Sequence, residues 1–307
     1  MFRLAHISDV HLGPLPKVSL SELASKRITG YVNWRRNRRK HLFGTALEEI
    51  IEEMAGTELD HVAITGDLVN LATSTEIETV KQWLDVNFLP ERTTLVPGNH
   101  DAYVPGALKH AVKAWKPWFL TGGEAHGKGT LFPTLTERGD CAIIGISSAN
   151  ASLPFMATGD FSSKQAKKAG KLLADAGKRG KFRVILIHHP PVEDAARWHK
   201  RLKGIGRFQK MVEENGAELV LHGHTHLDSL HHIETKRGNI PVVGIASASQ
   251  SPKGKKPNAA FNLFEITGKP GEWNLVHRRY SLNDDGHTVS ENTEAPRADT
   301  RTPVPAN

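Results

Sequence analysis

The chain has 307 residues, 38% of them apolar, with a mean hydropathy of −0.39 and a single cysteine. This composition fits a soluble α/β protein of one large domain or two small ones, and it excludes a membrane-spanning bundle and a disulfide-stapled scaffold. The net charge of +7 is local: residues 26–40 hold seven basic residues and no acidic one, and the remainder balances at 33 against 33, which excludes a generally basic nucleic-acid-binding surface.

In chain order, the alternating start MFRLAHIS predicts a strand over 2–8. It lacks the basic and apolar regions of a secretory leader, so the expected location is cytoplasmic. The stretch 19–39 (SLSELASKRITGYVNWRRNRR) places Leu20, Leu23, Arg27, Ile28, Tyr31 and Val32 near one helical face, interrupted by Gly30. A 3.6-residue period predicts a helix over 43–54 (FGTALEEIIEEM). Strands over 60–65, 93–97, 141–147, 183–187 and 218–221 then alternate with helices over 75–86, 163–176 and 208–215, with Ser162 or Ser163 capping the second of these. Cys141 falls in an apolar strand and is expected to be a small core residue. Alternating strands and helices imply a layered α/β architecture. Later strands over 242–246, 261–266 and 273–280 follow one another with turns between, which predicts an antiparallel portion. The polar, proline-bearing stretch 283–307 is expected to be disordered. This gives one domain over 1–282, carrying the basic segment 19–40 as an insert, and a tail.

Open α/β sheets bind ligands at the carboxyl ends of their strands. Five strand ends in succession carry Asp, His or Asn: Asp9-Val10-His11, Gly66-Asp67-Leu68-Val69-Asn70, Gly98-Asn99-His100-Asp101, His188-His189-Pro190-Pro191 and His222-Gly223-His224-Thr225-His226. Each is unremarkable alone; their joint occurrence is not. Imidazoles and carboxylates without thiolates suit Mn, Fe, Zn or Co. In an extended segment side chains two apart share a side, which would let Asp9 act with His11 and His224 with His226. One carboxylate can bridge two cations, and Asp67, after a central strand and a glycine, is the economical bridge.

These residues resemble the calcineurin-like metallophosphoesterases, whose pattern is D-x-H, G-D-x-x, G-N-H-[DE], a later H, and G-H-x-H. All five blocks are present between Asp9 and His226. The resemblance implies a four-layer αββα sandwich of two mixed β-sheets flanked by helices, with two divalent metal ions. One ion would take Asp9, His11, Asp67 and His226, and the other Asp67, Asn99, His188 and His224. His100 would be the catalytic histidine that contacts the phosphate and helps protonate the leaving oxygen, while hydroxide held by the metals attacks phosphorus. His189 is expected to line the cleft as a substrate contact or to hydrogen-bond a ligand from behind, and His222 to stay outside the ligand set. Asp101 is expected to orient a loop or a histidine.

Protein phosphatases of this fold read G-D-x-V-D-R-G and G-N-H-E, whereas this chain reads GDLVN followed by Leu71-Ala72, and GNHD. With the HHPP block, this resembles the bacterial branch acting on cyclic nucleotides or glycerophosphodiesters. The basic segment leaves three readings open. It is a solvated helix, or an interfacial element in which 26–40 meets an anionic membrane surface, or a nucleotide contact. The second would suit a lipid-linked substrate, such as a UDP-sugar lipid in lipid A assembly, and a location peripheral to the inner membrane. Arg35 and Arg36 are candidate substrate contacts, and no specific nucleic acid is expected. A metal-binding scaffold without activity would tolerate a degraded ligand set, but here every ligand position is filled.

Overall fold

The computed structural model describes residues 1–307 except 24, 36–44, 123–130, 295, 299 and 302–307. In chain order the elements are β1 (Phe2–Ile7), α1 (Leu20–Leu23), α2 (Arg27–Asn33), α3 (Ala46–Ala55), β2 (His61–Ile64), α4 (Ser74–Asn87), β3 (Thr93–Leu95), α5 (Ala107–Phe119), β4 (Thr134–Arg138), β5 (Cys141–Gly145), β6 (Gly159–Asp160), α6 (Ser163–Lys178), β7 (Phe182–Leu186), β8 (Leu202–Lys203), α7 (Ile205–Asn215), β9 (Leu219–His222), β10 (Ser229–Thr235), β11 (Gly238–Gly244), β12 (Ala260–Lys269), β13 (Glu272–Leu282), β14 (Val289–Glu291) and β15 (Thr300–Arg301). Among the described residues they build two mixed sheets. One runs β14-β13-β12-β1-β2-β3, with β15 also on β13, and the other runs β10-β11-β9-β7-β5-β4.

Strand alternation makes the layers. On β1, Leu4 points into an apolar layer shared with Ile143, Val184 and Leu221 of the other sheet, so this layer lies between the sheets. Ala5 and Ile7, one residue out of phase, join Ile50 of α3, Val80 of α4 and Trp115 of α5. On the second sheet Ala142, Ile144 and Val220 pack with Leu173 of α6 and Phe208 of α7. Helices, sheet, sheet and helices follow in that order, the αββα sandwich expected from the resemblance.

The register places the motifs. In the first sheet Ile7 pairs with Ile64 and Ile64 with Leu95, all parallel; in the second, Gly145 pairs with Leu186 and Leu186 with Leu221, also parallel. The residues that follow these strand ends therefore emerge together at one edge of the sandwich.

Several expectations need correction. As far as it is described, the tail does not stay out of the fold: Asp285 accepts from the backbone N–H of His287 and of Thr288, closing a turn that returns β14 along β13, and buried Ala298 donates its N–H to His277 Nδ1, while 302–307 lie outside the described residues. An unpaired strand edge with free backbone groups recruits the next segment. The segment 19–32 is two short helices, and Gly30 is no interruption but a buried residue inside α2. A side chain there would meet the Tyr103 hydroxyl at 2.2 Å. Helix α5 and strands β4 and β10 had no sequence forecast. Ser162, not Ser163, caps α6 through Gln165 N–H.

Cys141 is buried, and desolvation pushes its thiol well above the usual range. We expect no reaction of the native protein with Ellman's reagent and one equivalent of thiol after guanidinium unfolding; reaction of the folded protein at the unfolded rate would contradict this burial.

Candidate metal centre

The backbone at the candidate site is strained. Asp9, His11, Asp67, His224 and His226 all have positive φ, between 42° and 69°. Each such non-glycine residue costs about 1–3 kcal/mol and persists only where its surroundings over-determine it. The side chains thus converge through left-handed turns, not through the extended phase expected from spacing. The surroundings are explicit. Asp9 N–H bonds Gly66 O at 2.9 Å and His11 N–H bonds Asp67 O at 2.9 Å, tying the loop after β1 to the loop after β2. The loop after β3 is tied in by Asp101, whose buried carboxylate accepts from the N–H groups of Asp67, Leu68, Val69 and Gly98 at 2.8–3.3 Å. Burial and the Asp67 charge push Asp101 up to about 7. Asp101 therefore acts on loops, the first of its two expected roles.

The histidine tautomers are set by backbone carbonyls. His188 Nδ1–H donates to Thr65 O at 2.7 Å, His224 Nε2–H to Lys200 O at 2.9 Å and His11 Nδ1–H to Val69 O at 3.1 Å. The opposite nitrogens then face one another and the acids. His188 Nε2 lies 3.2 Å from Asn99 Oδ1, 3.2 Å from His224 Nδ1 and 3.4 Å from Asp67 Oδ2. On the other side His226 Nε2 lies 3.0 Å from Asp9 Oδ1, while His11 Nε2 lies 4.0 Å from Asp9 Oδ1 and 3.9 Å from Asp67 Oδ2. Asp9 Oδ1 is buried, and its contact with His226 lacks hydrogen-bond geometry. About 3 Å is the spacing of two ligands on one ion with bonds near 2.1 Å.

The electrostatics require positive charge here. Burial works to raise Asp67, but His188 and His100 hold it well below the carboxylate range; burial likewise opposes ionisation of Asp9, and His226 and His188 overcome it. Burial lowers His188, yet Asp67 and Asp9 drive it up to about 9, so a proton settles there when no cation does. His224 is held well below its usual range by burial and by His189 and His188, which leaves Nδ1 bare. Three groups of closely spaced donor atoms, Asp9–His11–His226, Asp9–Asp67–His188 and His188–His189–His224, share members and lie side by side. The donor set fits two divalent cations.

The structure thus brings together Asp9, His11, Asp67, Asn99, His188, His224 and His226. His100 stands beside them: its N–H donates to Asp67 Oδ1 at 2.7 Å, its Nδ1–H to Asn70 O at 2.6 Å, and its ring stacks on Tyr103 at 5.3 Å. Both ring nitrogens of His189 are taken by protein partners. It is fully buried, with Nε2 on Ala157 O and Nδ1 on the Ser148 hydroxyl, so it supports the His188 segment from behind. His222 is also buried, with Nδ1 on Gly223 O. Arg35 is exposed just past α2, and Arg36 lies outside the described residues. Sequence reasoning missed Asn70 and Tyr103, which orient His100, and Ser148. Of these only Asn70 carried a signal, as the last residue of GDLVN.

A family model described as calcineurin-like phosphoesterase matches residues 2–228. The chain belongs to the calcineurin-like phosphoesterase family. Membership gives it the framework of a metal-dependent phosphoester hydrolase and implies two divalent metal ions, whose identity the donor set leaves open. No curated protein matches the sequence. Among solved structures, a dimetal phosphatase from Danio rerio is similar at 12% identity and a TM-score of 0.56, over 98% of this chain and 99% of that one. Also similar are a Vps29 mutant from Entamoeba histolytica (14% identity, 98% and 100% covered, TM-score 0.41) and a 5'-nucleotidase precursor from Thermus thermophilus (13%, 98% and 54% covered, TM-score 0.43). At these identities the first likeness speaks to the family's fold alone. No helix among the described residues is long and apolar enough to cross a membrane.

Proposed function

We propose that the protein is a dinuclear-metal phosphodiesterase acting on a small phosphodiester of the cyclic-nucleotide or glycerophosphodiester class, with Asp9, His11, Asp67 and His226 holding one ion and Asp67, Asn99, His188 and His224 the other. The observation that carries the substrate class is Leu71. It stands where the protein-phosphatase pattern has arginine, and it is buried in the core under the helices. This block therefore delivers no guanidinium to a dianionic monoester, whereas a diester carries a single charge and needs less cationic support. Bound at these residues, the two ions would supply Lewis-acid activation of water and neutralisation of phosphoryl charge.

The chain's own residues do the rest. Asn70 O accepts His100 Nδ1–H and the Tyr103 ring stacks on the imidazole, which leaves Nε2 as the atom that meets the leaving group. Protonated there, His100 donates a proton to the leaving alkoxide. Asp101 holds the loops after β2 and β3 at fixed spacing. His100→Ala should lower kcat/KM for bis(p-nitrophenyl) phosphate by about 10²–10⁴-fold with metal content unchanged; an undiminished rate would remove His100 from the chemistry. The substrate class is tested by metal-reconstituted protein on a cyclic nucleotide, a glycerophosphodiester and p-nitrophenyl phosphate, and preference for the monoester would overturn it. A second reading, pyrophosphate cleavage in a UDP-sugar lipid, is favoured by the apolar side chains exposed around the cleft, and turnover of such a lipid in the same panel would establish it.

A further inference from the structure

Most of the large apolar side chains exposed among the described residues adjoin the metal cleft. Ile28 (54% exposed) and Val32 lie on α2, Leu153 (75%) and Phe155 (83%) on the loop before β6, Trp198 (71%) on the loop before β8, and Leu227 directly after His226. Hydrogen bonds join these segments into one surface. Lys26 Nζ donates to Ser152 O at 2.9 Å and Met156 O at 3.1 Å, pinning α2 to the 152–156 loop. Ala157 N–H bonds His199 O at 2.9 Å, and β6 pairs with β8. Lys200 O receives His224 Nε2–H, and Lys256 Nζ bonds Thr225 O between the last two expected ligands.

The same surface is basic. Residues 26–35, 149–158, 192–201, 223–228 and 250–258 hold nine basic and three acidic residues. One of the three, Asp228, is turned inward, accepting from Ala246 N–H and lying 3.5 Å from buried Arg279. Among the described residues none of Arg197, Lys253, Lys255 or Lys256 takes part in an ion pair. Burial, Lys200 and Arg197 together hold the Lys256 ammonium below its usual range, against the pull of Asp9.

We propose that this rim is a docking surface for an anionic lipid bilayer, which seats the metal cleft against the headgroups. Single apolar side chains on separate loops and one helix, interleaved with lysine and arginine, suit insertion among headgroups while the cations meet lipid phosphates. Trp198 is of a residue type that favours the membrane interface, and Phe155 of one that suits the apolar face entering it. Two of the basic residues at 26–40 are not free for this role, since Lys26 and Arg27 anchor α2 on backbone carbonyls of 152–156 and of Leu71 and Ala72. The proposal holds whichever phosphoester is cleaved, because its test reads binding and not turnover.

The test is flotation of the full chain with phosphatidylcholine vesicles and with vesicles containing roughly one-third phosphatidylglycerol. Binding is expected only to the anionic vesicles. The double variant Phe155→Ser, Trp198→Ser should bind at least about tenfold less, and each of Lys253→Glu and Lys255→Glu about fivefold less or weaker still. All should keep wild-type hydrolysis of bis(p-nitrophenyl) phosphate and wild-type melting. Absence of binding to anionic vesicles, or equal binding by the Phe155/Trp198 variant, overturns the proposal. So does a wild-type dimer in sedimentation velocity that the same variant dissolves, since the rim would then cover itself.

Discussion

Asp67→Asn is expected to lose two-metal occupancy and to hydrolyse bis(p-nitrophenyl) phosphate about 10³-fold more slowly or worse. Asp67 Oδ2 is the oxygen that faces both histidine groups, 3.4 Å from His188 Nε2 and 3.9 Å from His11 Nε2. In the variant an amide Nδ2–H would donate to the bare imidazole nitrogen and close that space without a cation. Loss of several kcal/mol of phosphoryl charge stabilisation, at 1.36 kcal/mol per tenfold, gives this scale. The fold should survive, because the isosteric amide can still accept His100 N–H through Oδ1. Two measurements separate ligand loss from misfolding. Metal content by mass spectrometry should fall from two ions per chain. Added Mn at about 100 times Kd should stabilise metal-free wild type by about 2.7 kcal/mol, roughly 5–10 °C in Tm, and the variant far less. A variant that keeps two ions and wild-type turnover would take Asp67 out of the ligand set.

The site was legible in the sequence because its chemistry is punctuated by its architecture. Every ligand candidate directly follows a short apolar run, and parallel register then brings the run ends to one edge. Neither step needs long-range detail. What was illegible depended on tertiary context. The positive φ of Asp9 and His11 leaves no mark, since neither is a glycine or asparagine and it is bonds to the Gly66–Val69 loop that hold them there. Of His188 and His189 the family pattern already favours the first; the contacts behind that choice, Thr65 O and Asn99 for His188 and Ser148 and Ala157 for His189, are tertiary. Helix α5 escaped notice because Gly106 offers no side-chain cap and Pro117 sits inside it, although Ala107, Ala111, Trp115 and Trp118 trace its buried face. The tail was read from polarity alone, and its Asp285-Gly286 turn was overlooked.

Gly98→Ala is expected to damage the site as severely as loss of a ligand, by a different route. A Cβ on Gly98 would lie 2.2 Å from Asp67 Oδ1 and 2.5 Å from Asp67 N. Neither atom is free to retreat: Oδ1 holds His100 N–H, and Asp67 N–H is bound by Asp101, which also binds Gly98 N–H. Across the interface Gly66, at φ +91°, leaves no more room, since its own Cβ would meet Gly98 N at 2.4 Å. The methyl must therefore push apart the loops after β2 and β3 and break part of the Asp101 cradle. Overpacking of this kind costs about 1–3 kcal/mol, and an unsatisfied buried N–H adds about 1–3 more. We expect Gly98→Ala to lose hydrolysis by about 10²-fold or more, because displacements near 1 Å cost that much, and to melt several degrees lower even without metal. Asp67→Asn, by contrast, leaves the spacing of these loops unchanged, and its metal-free form gives up only the attraction of Asp67 to His188 and His100. If Gly98→Ala retained both activity and stability, the close approach of these two loops could not be what fixes Asp67 between the two histidine groups.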